Sequence, residues 1–274
     1  MERAGALRIR TYGTSGPVVI VLHGGPADVG GAAPLARGLA EAFQVLEPWQ
    51  RGSSGAPLTV ACHVADLHEL VVLRCSGVCP ALVGTSWGAM LALAYAAAHP
   101  DRAGPLVLVG CGTFDPMARA RLRATIKERT DDELRHRLAH LAEECPDSGD
   151  QLTKRYALTQ GLYTYAPIAA AQDERAGEPF DVRAHTETWD DMVRLQEAGV
   201  YPAAFAAITS PVLMVHGTYD PHPGQMIRAS LAPYLPQLEY CEWKRCGHSP
   251  WGEQFVHDEF FAVLRAWLAR HLAA

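Results

Sequence analysis

Three polar side chains stand where they could hand a proton along. Ser86 lies in Gly84-Thr85-Ser86-Trp87-Gly88, Asp220 in His216-Gly217-Thr218-Tyr219-Asp220-Pro221, and His248 in Gly247-His248-Ser249. A hydroxyl is a weak nucleophile at neutral pH. It attacks well when a neutral imidazole takes its proton and a carboxylate fixes the tautomer and stabilises the resulting cation. The glycines flanking Ser86 suit a tight, strained turn from strand to helix, which lifts the serine oxygen clear of the backbone. The start of the helix behind it favours developing negative charge. The same five residues could instead be a tight turn with a serine helix cap, so the surrounding elements decide.

Those elements follow from the apolar pattern. Leu7 to Tyr12 reads as an early antiparallel strand. Pro17 to Leu22, Phe43 to Glu47, Ala81 to Gly84, Pro105 to Val109, Pro211 to His216 and Leu238 to Trp243 read as strands, several of them continuous apolar runs of the kind buried on both faces. Helical stretches are expected near 32–42, at Val60 to Arg74, at Trp87 to Ala98, near Gln225 to Ala232 and from Glu253 to Leu272. Strands alternating with helices imply right-handed crossovers and a mostly parallel sheet. The rhythm breaks after Val109. From about Phe114 to Tyr201 the chain is polar and helix-forming, with Leu122 to Glu144 charged, Tyr156 to Ala171 richer in aromatics, and Pro179 and Pro202 as punctuation. The expected division is a core of residues 1–113 and 202–274 with a helical cap, or lid, at 114–201.

In this frame Ser86 follows one strand, Asp220 the next-to-last and His248 the last. His23, His99, His216 and His222 compete for the base, but none follows the last strand. His23 reads as structural, His99 as a helix end, and His216 and His222 as supports of the acid loop. Asp115, in the loop after the preceding strand, is the rival acid; Asp220 is preferred. The tetrahedral intermediate of such an attack needs two N–H donors. Trp87, after the nucleophile, and Gly25, in the His23-Gly24-Gly25-Pro26 loop, are the candidates, glycine allowing close backbone approach.

Composition bounds the remaining choices. The 274 residues carry 49% apolar and 20% charged residues and a formal charge of -6, ordinary for one globular enzyme-sized unit. Lys and Arg are scattered. The basic run Arg119, Arg121, Arg123, Lys127 and Arg129 gives way at once to Asp131, Asp132 and Glu133, so it reads as a solvated helix face and not as a nucleic-acid site. No membrane-length apolar run or signal peptide is apparent, and the seven cysteines lack zinc spacing. The expectation is a cytoplasmic protein with reduced thiols, no membrane or nucleic-acid partner, and an undetermined oligomeric state. Gly24-Gly25 and Gly30-Gly31 make no dinucleotide motif, so no cofactor and no metal are expected.

Together these motifs resemble the α/β-hydrolase superfamily over nearly the whole chain. Within it, HGGP at 23–26, GTSWG at 84–88 and Gln50-Arg51-Gly52-Ser53 resemble the proline iminopeptidase-like branch. Trp49, Ser54 and Ala56 depart from that branch, standing in place of an aspartate, a glycine and a serine. The resemblance implies an α/β-hydrolase fold, a mostly parallel sheet flanked by helices with a helical cap inserted after the sixth strand, and a Ser86–His248–Asp220 triad. It implies an acyl-enzyme hydrolase acting on a small ester, amide or short peptide. The alternatives are an iminopeptidase-type aminopeptidase and a non-catalytic ligand-binding protein. Iminopeptidases hold a free amino terminus with acids of the cap; Asp173, Glu174, Glu187 and Glu197 are available here. Ser86 argues against a dehalogenase or epoxide hydrolase, which use a carboxylate nucleophile. Tyr156, Tyr163, Tyr165, Trp189 and Trp49 are candidate walls of a largely apolar pocket, with Trp49, Tyr163 and Trp189 taken as substrate-binding.

Overall fold

The computed structural model describes residues 2–5, 7–168 and 180–272. Its strands are β1 (Glu2–Ala4), β2 (Leu7–Tyr12), β3 (Val18–Leu22), β4 (Gln44–Trp49), β5 (Ala81–Thr85), β6 (Leu106–Val109), β7 (Val212–Gly217) and β8 (Leu238–Trp243). They form one sheet in the order β1-β2-β4-β3-β5-β6-β7-β8. β4 through β8 run parallel, while β1 and β2 close one edge antiparallel. The three-residue β1 was not expected; it exists through its register with β2 and carries no pattern of its own.

The parallel strands read as unbroken apolar runs because both faces are covered, yet period two still sorts their side chains. Val19, Val21, Val45, Val83, Val107, Val109 and Val215 face one core. There they meet α1 (Ala33–Leu39) and α9 (His257–Leu272). Ile20, Leu22, Leu46, Leu82, Leu106, Leu108 and Met214 face the other, against α2 (Val60–Arg74) and α3 (Trp87–Ala98). α2 is capped by Thr59, whose side chain accepts the Cys62 N–H. α3 is apolar all round because it is buried all round.

After β6, the sixth strand, come four helices: α4 (Pro116–Arg129), α5 (Asp132–Glu144), α6 (Ser148–Thr159) and α7 (Val182–Glu197). The charged, helix-forming stretch over 122–144 divides between two helices. Thr130 leaves helical geometry and Asp131 caps the second helix through the Leu134 N–H. A short 3-10 turn, Ala203–Ala207, then packs Phe205 into the core edge-on to Phe114 before β7 begins. α8 (Gly224–Leu231) joins β7 to β8. The last helix starts at His257 rather than Glu253, because Glu253 turns inward and is fully buried. No helix among the described residues is long and apolar enough to cross a membrane.

Candidate active site

The carboxyl ends of β3 to β8 converge, and this is where open α/β sheets place their sites. Ser86 sits at the tip of β5 with φ +53° and ψ -116°, a strained conformation for a residue with a side chain. Its amide donates to Val109 O at 2.8 Å. The flanking glycines make this turn possible. A Cβ on Gly84 would lie 2.2 Å from Gly88 O, and one on Gly88 would lie 2.2 Å from Leu22 O. Trp87 opens α3, so its N–H lacks an intrahelical acceptor.

Asp220 follows β7 and its side chain is wholly shielded from solvent. Its Oδ2 bonds His248 Nδ1 at 2.7 Å. Its Oδ1 accepts the His222 N–H at 2.9 Å and approaches His222 Nδ1 at 3.1 Å. His216 Nδ1 lies 3.6 Å from Oδ2. Burial pushes the Asp220 carboxyl up, but the adjacent His248 and His222 outweigh it and hold it well below the ordinary carboxylate range. His216 is also lowered, to about 4, chiefly by burial, so it stays neutral near pH 7. The His222 and His248 rings stack at 4.6 Å and 21°. Asp220, His222 and His248 could in principle hold a metal ion. Near-parallel rings, however, point their lone pairs side by side rather than at one centre, and both Nδ1 atoms already face the carboxylate.

His248 lies close to the serine turn. A Cβ on Gly110, the residue after Val109, would fall 2.8 Å from the His248 ring, and Gly110 holds φ +54°. Tyr163 comes from the inserted segment: its carbonyl accepts the His248 N–H at 2.8 Å and its ring meets the imidazole edge-on at 5.7 Å. Burial raises its phenol to about 12.

The glycine loop after β3 approaches Ser86 from the other side. A Cβ on Gly24 would lie 3.1 Å from Ser86 Cβ. Gln50, just past β4, locks this loop. Its N–H donates to His23 Nε2 at 3.2 Å, its amide nitrogen donates to His23 O at 3.2 Å, and its amide oxygen accepts the Trp87 indole N–H at 2.7 Å. With Nε2 accepting, the His23 proton sits on Nδ1 and is given to Gly24 O at 2.9 Å. Burial keeps this imidazole neutral by lowering it to about 4. The Gly24 carbonyl and the Gly25 N–H belong to one trans peptide, so fixing the carbonyl fixes the N–H in the opposite direction. Gln50 entered the sequence reading only as a letter of a motif. Its partners lie 27 and 37 residues away, beyond any local signal.

The remaining expected residues go elsewhere. Trp49 is not a pocket wall: its buried ring lies under the guanidinium groups of Arg8 and Arg10, at 4.3 and 4.7 Å, because strand alternation turns it to the face opposite Leu46. Trp189 packs half-buried against the core on the α2–α3 side. Tyr156 hangs over the glycine loop, its hydroxyl 3.7 Å from where a Gly25 Cβ would be. Asp115 caps α4 through the Met117 N–H and does not reach an imidazole. Glu187 binds the Leu58 N–H at 2.8 Å and Arg183 at 2.6 Å, and Glu197 is exposed. Asp173, Glu174 and Pro179 lie outside the described residues. A cavity of about 190 Å³ beside Asp220 is lined by Thr218, Asp220, His222, Gln225 and Glu242 among others, and neither Ser86 nor Gly25 lines it.

Comparison with known proteins agrees with this architecture. Residues 19–263 match the profile of the alpha/beta hydrolase family. The chain belongs to the alpha/beta hydrolase family. Within the family it is similar to the proline iminopeptidases of Neisseria gonorrhoeae and of Neisseria meningitidis serogroup A, each 41% identical over 106 residues. That stretch is 35% of this chain and 33% of either relative, so the match spans about a third of their length. Among solved structures, a thermophilic esterase from Thermogutta terrifontis superposes with a TM-score of 0.64 at 20% identity, covering 97% of this chain and 94% of that one. A proline iminopeptidase from Mycobacterium smegmatis gives 0.65 at 18% identity, covering 99% and 97%. A putative lipase from Acinetobacter baumannii gives 0.69 at 18% identity, covering 99% and 91%. At these identities the likeness is one of fold.

Proposed function

We propose that the chain is a serine hydrolase that cleaves a small to medium carboxylic ester or amide through an acyl-enzyme. The observation that carries this reading is the 2.7 Å bond between the buried Asp220 carboxylate and His248, on the loops after the last two strands, beside a serine held at positive φ. In the proposed cycle Ser86 Oγ attacks the carbonyl carbon and His248 Nε2 takes its proton. Asp220 stabilises the imidazolium. The Gly25 and Trp87 N–H groups hold the oxyanion. His248 then protonates the leaving group, and water repeats the sequence on the acyl-enzyme. No hydrogen bond joins Ser86 Oγ to His248 among the described residues; catalytic bonds of this kind often tighten only when substrate is bound.

The helical insertion, residues 114–201, acts as the cap in this reading. Tyr163 and Tyr156 contribute walls near the base and the glycine loop. Iminopeptidase activity is the second reading, favoured by the 41% identical stretch. Against it, Glu187 is already engaged, accepting from the Leu58 N–H and from Arg183. A ladder of p-nitrophenyl esters beside proline p-nitroanilide separates the two, with Ser86→Ala as control. Ester turnover lost in the variant supports the hydrolase reading. Release from the unblocked prolyl substrate, abolished by N-acylation, favours the peptidase. Equal turnover by wild type and variant overturns both.

A further inference from the structure

Glu253 is a fully buried carboxylate that no step of the proposed cycle uses. Among the described residues no cation pairs with it. Its oxygens are met by backbone N–H groups instead. Oε1 accepts the Gly247 N–H at 2.9 Å and the Tyr165 N–H at 2.8 Å, and Oε2 accepts the Ala166 N–H at 2.7 Å. The first donor immediately precedes the base His248. The other two belong to the inserted segment whose Tyr163 packs on that base.

The surrounding bonds tie the same two segments. His248 N–H donates to Tyr163 O at 2.8 Å, Gln254 N–H to Ala166 O at 2.9 Å, and Ile168 N–H to Gly252 O at 2.8 Å. Gly247 lets them approach, since a Cβ there would lie 2.1 Å from Tyr163 O and 2.6 Å from Glu253 Oε1. Residues 163–168 and 247–254 are therefore one hydrogen-bonded unit with Glu253 at its centre.

We propose that Glu253 is a positioning residue that sets the catalytic placement of His248 by clamping the base-bearing loop to segment 163–168 of the insertion. This rests on His248 being the base. A carboxylate suits the role because both oxygens accept, so three donors from two segments are met by one rigid group. Glu253→Gln keeps the shape but turns an NH2 toward an N–H, which separates the segments without removing volume. The clamp also means that this part of the insertion cannot lift away without carrying the base with it.

The test is the rate at which a fluorophosphonate labels Ser86 in wild type and Glu253→Gln, across pH and below the melting temperature of both. The proposal expects labelling at least about tenfold slower in the variant, with the acid limb of its pH profile moved. A variant that melts earlier but labels at the wild-type rate and pH dependence would show a merely structural role and overturn it. A second measurement needs no variant. Amide exchange in wild type should show Gly247, Tyr165 and Ala166 protected and opening together; separate, fast exchange of Gly247 overturns the clamp. Wild type that takes no label would sink the proposed function, and the exchange result would still decide the clamp.

Discussion

At the scale of single residues, the site is a division of acceptors. Asp220 gives one oxygen to His248 and the other to His222, so neither can be lost without reorienting the other. Asp220→Asn replaces one acceptor by a donor that must face an imidazole. Turnover should fall by roughly 10⁴-fold with the fold intact, read from kcat and from circular dichroism of the same sample. Gln50 acts through others: it joins the glycine loop to Trp87 and, through His23, fixes the peptide that carries the Gly25 N–H. Gln50→Leu is expected to lower kcat by about 10- to 100-fold with KM little changed, since the proposed role of the Gly25 N–H as an oxyanion donor would act on the transition state. A loss confined to KM would mean that Gln50 shapes binding and not the oxyanion site.

At the scale of elements, close approach decides what the strand ends can carry. Gly110 terminates β6 at φ +54°, against the imidazole of the loop after β8. Gly110→Ala both strains that backbone and pushes on His248, so turnover should drop by roughly 10²-fold while Ser86 and its turn remain; unchanged kcat would show that the ring yields without cost. What the amino-acid sequence reveals divides along the same line. α2 and α3 are legible to the residue because Thr59 caps one and the serine turn opens the other. The placement of Ser86, Asp220 and His248 just after β5, β7 and β8 is legible because each sits in a local motif behind an apolar run. The break at Thr130, the inward turn of Glu253 and the place of Trp49 are not. Glu253 looks like the first residue of an amphipathic helix, and its partners Tyr165 and Ala166 lie 88 and 87 residues away. Trp49 is steered by Arg8 and Arg10 on the neighbouring strand, a contact that only the register of β2 and β4 creates.

At the scale of the whole molecule, the buried imidazoles set the response to acid. His23, His63 and His216 are each lowered to about 4, in every case mainly by burial, against about 6.5 in an unfolded chain. Between those values the unfolded state binds more protons than the native one, so stability rises with pH there and is lost as pH falls from about 6.5 toward 4. Asp220, held below its ordinary range, adds a further loss only at pH values under the usual carboxylate pKa. The melting temperature should therefore fall clearly between pH 7 and pH 5, with proton uptake on unfolding seen by calorimetry in buffers of different ionisation enthalpy. A flat melting temperature over that window would mean that these rings titrate in the folded state as they do in the unfolded chain.

The most direct test of the account is the mass of the intact protein after treatment with a fluorophosphonate, followed by peptide mapping. The account predicts one adduct per chain, on the peptide carrying Ser86, absent from Ser86→Ala and slowed by loss of His248. A chain that takes no adduct, or a Ser86→Ala variant that takes it at the wild-type rate, would contradict the assignment of Ser86 as nucleophile.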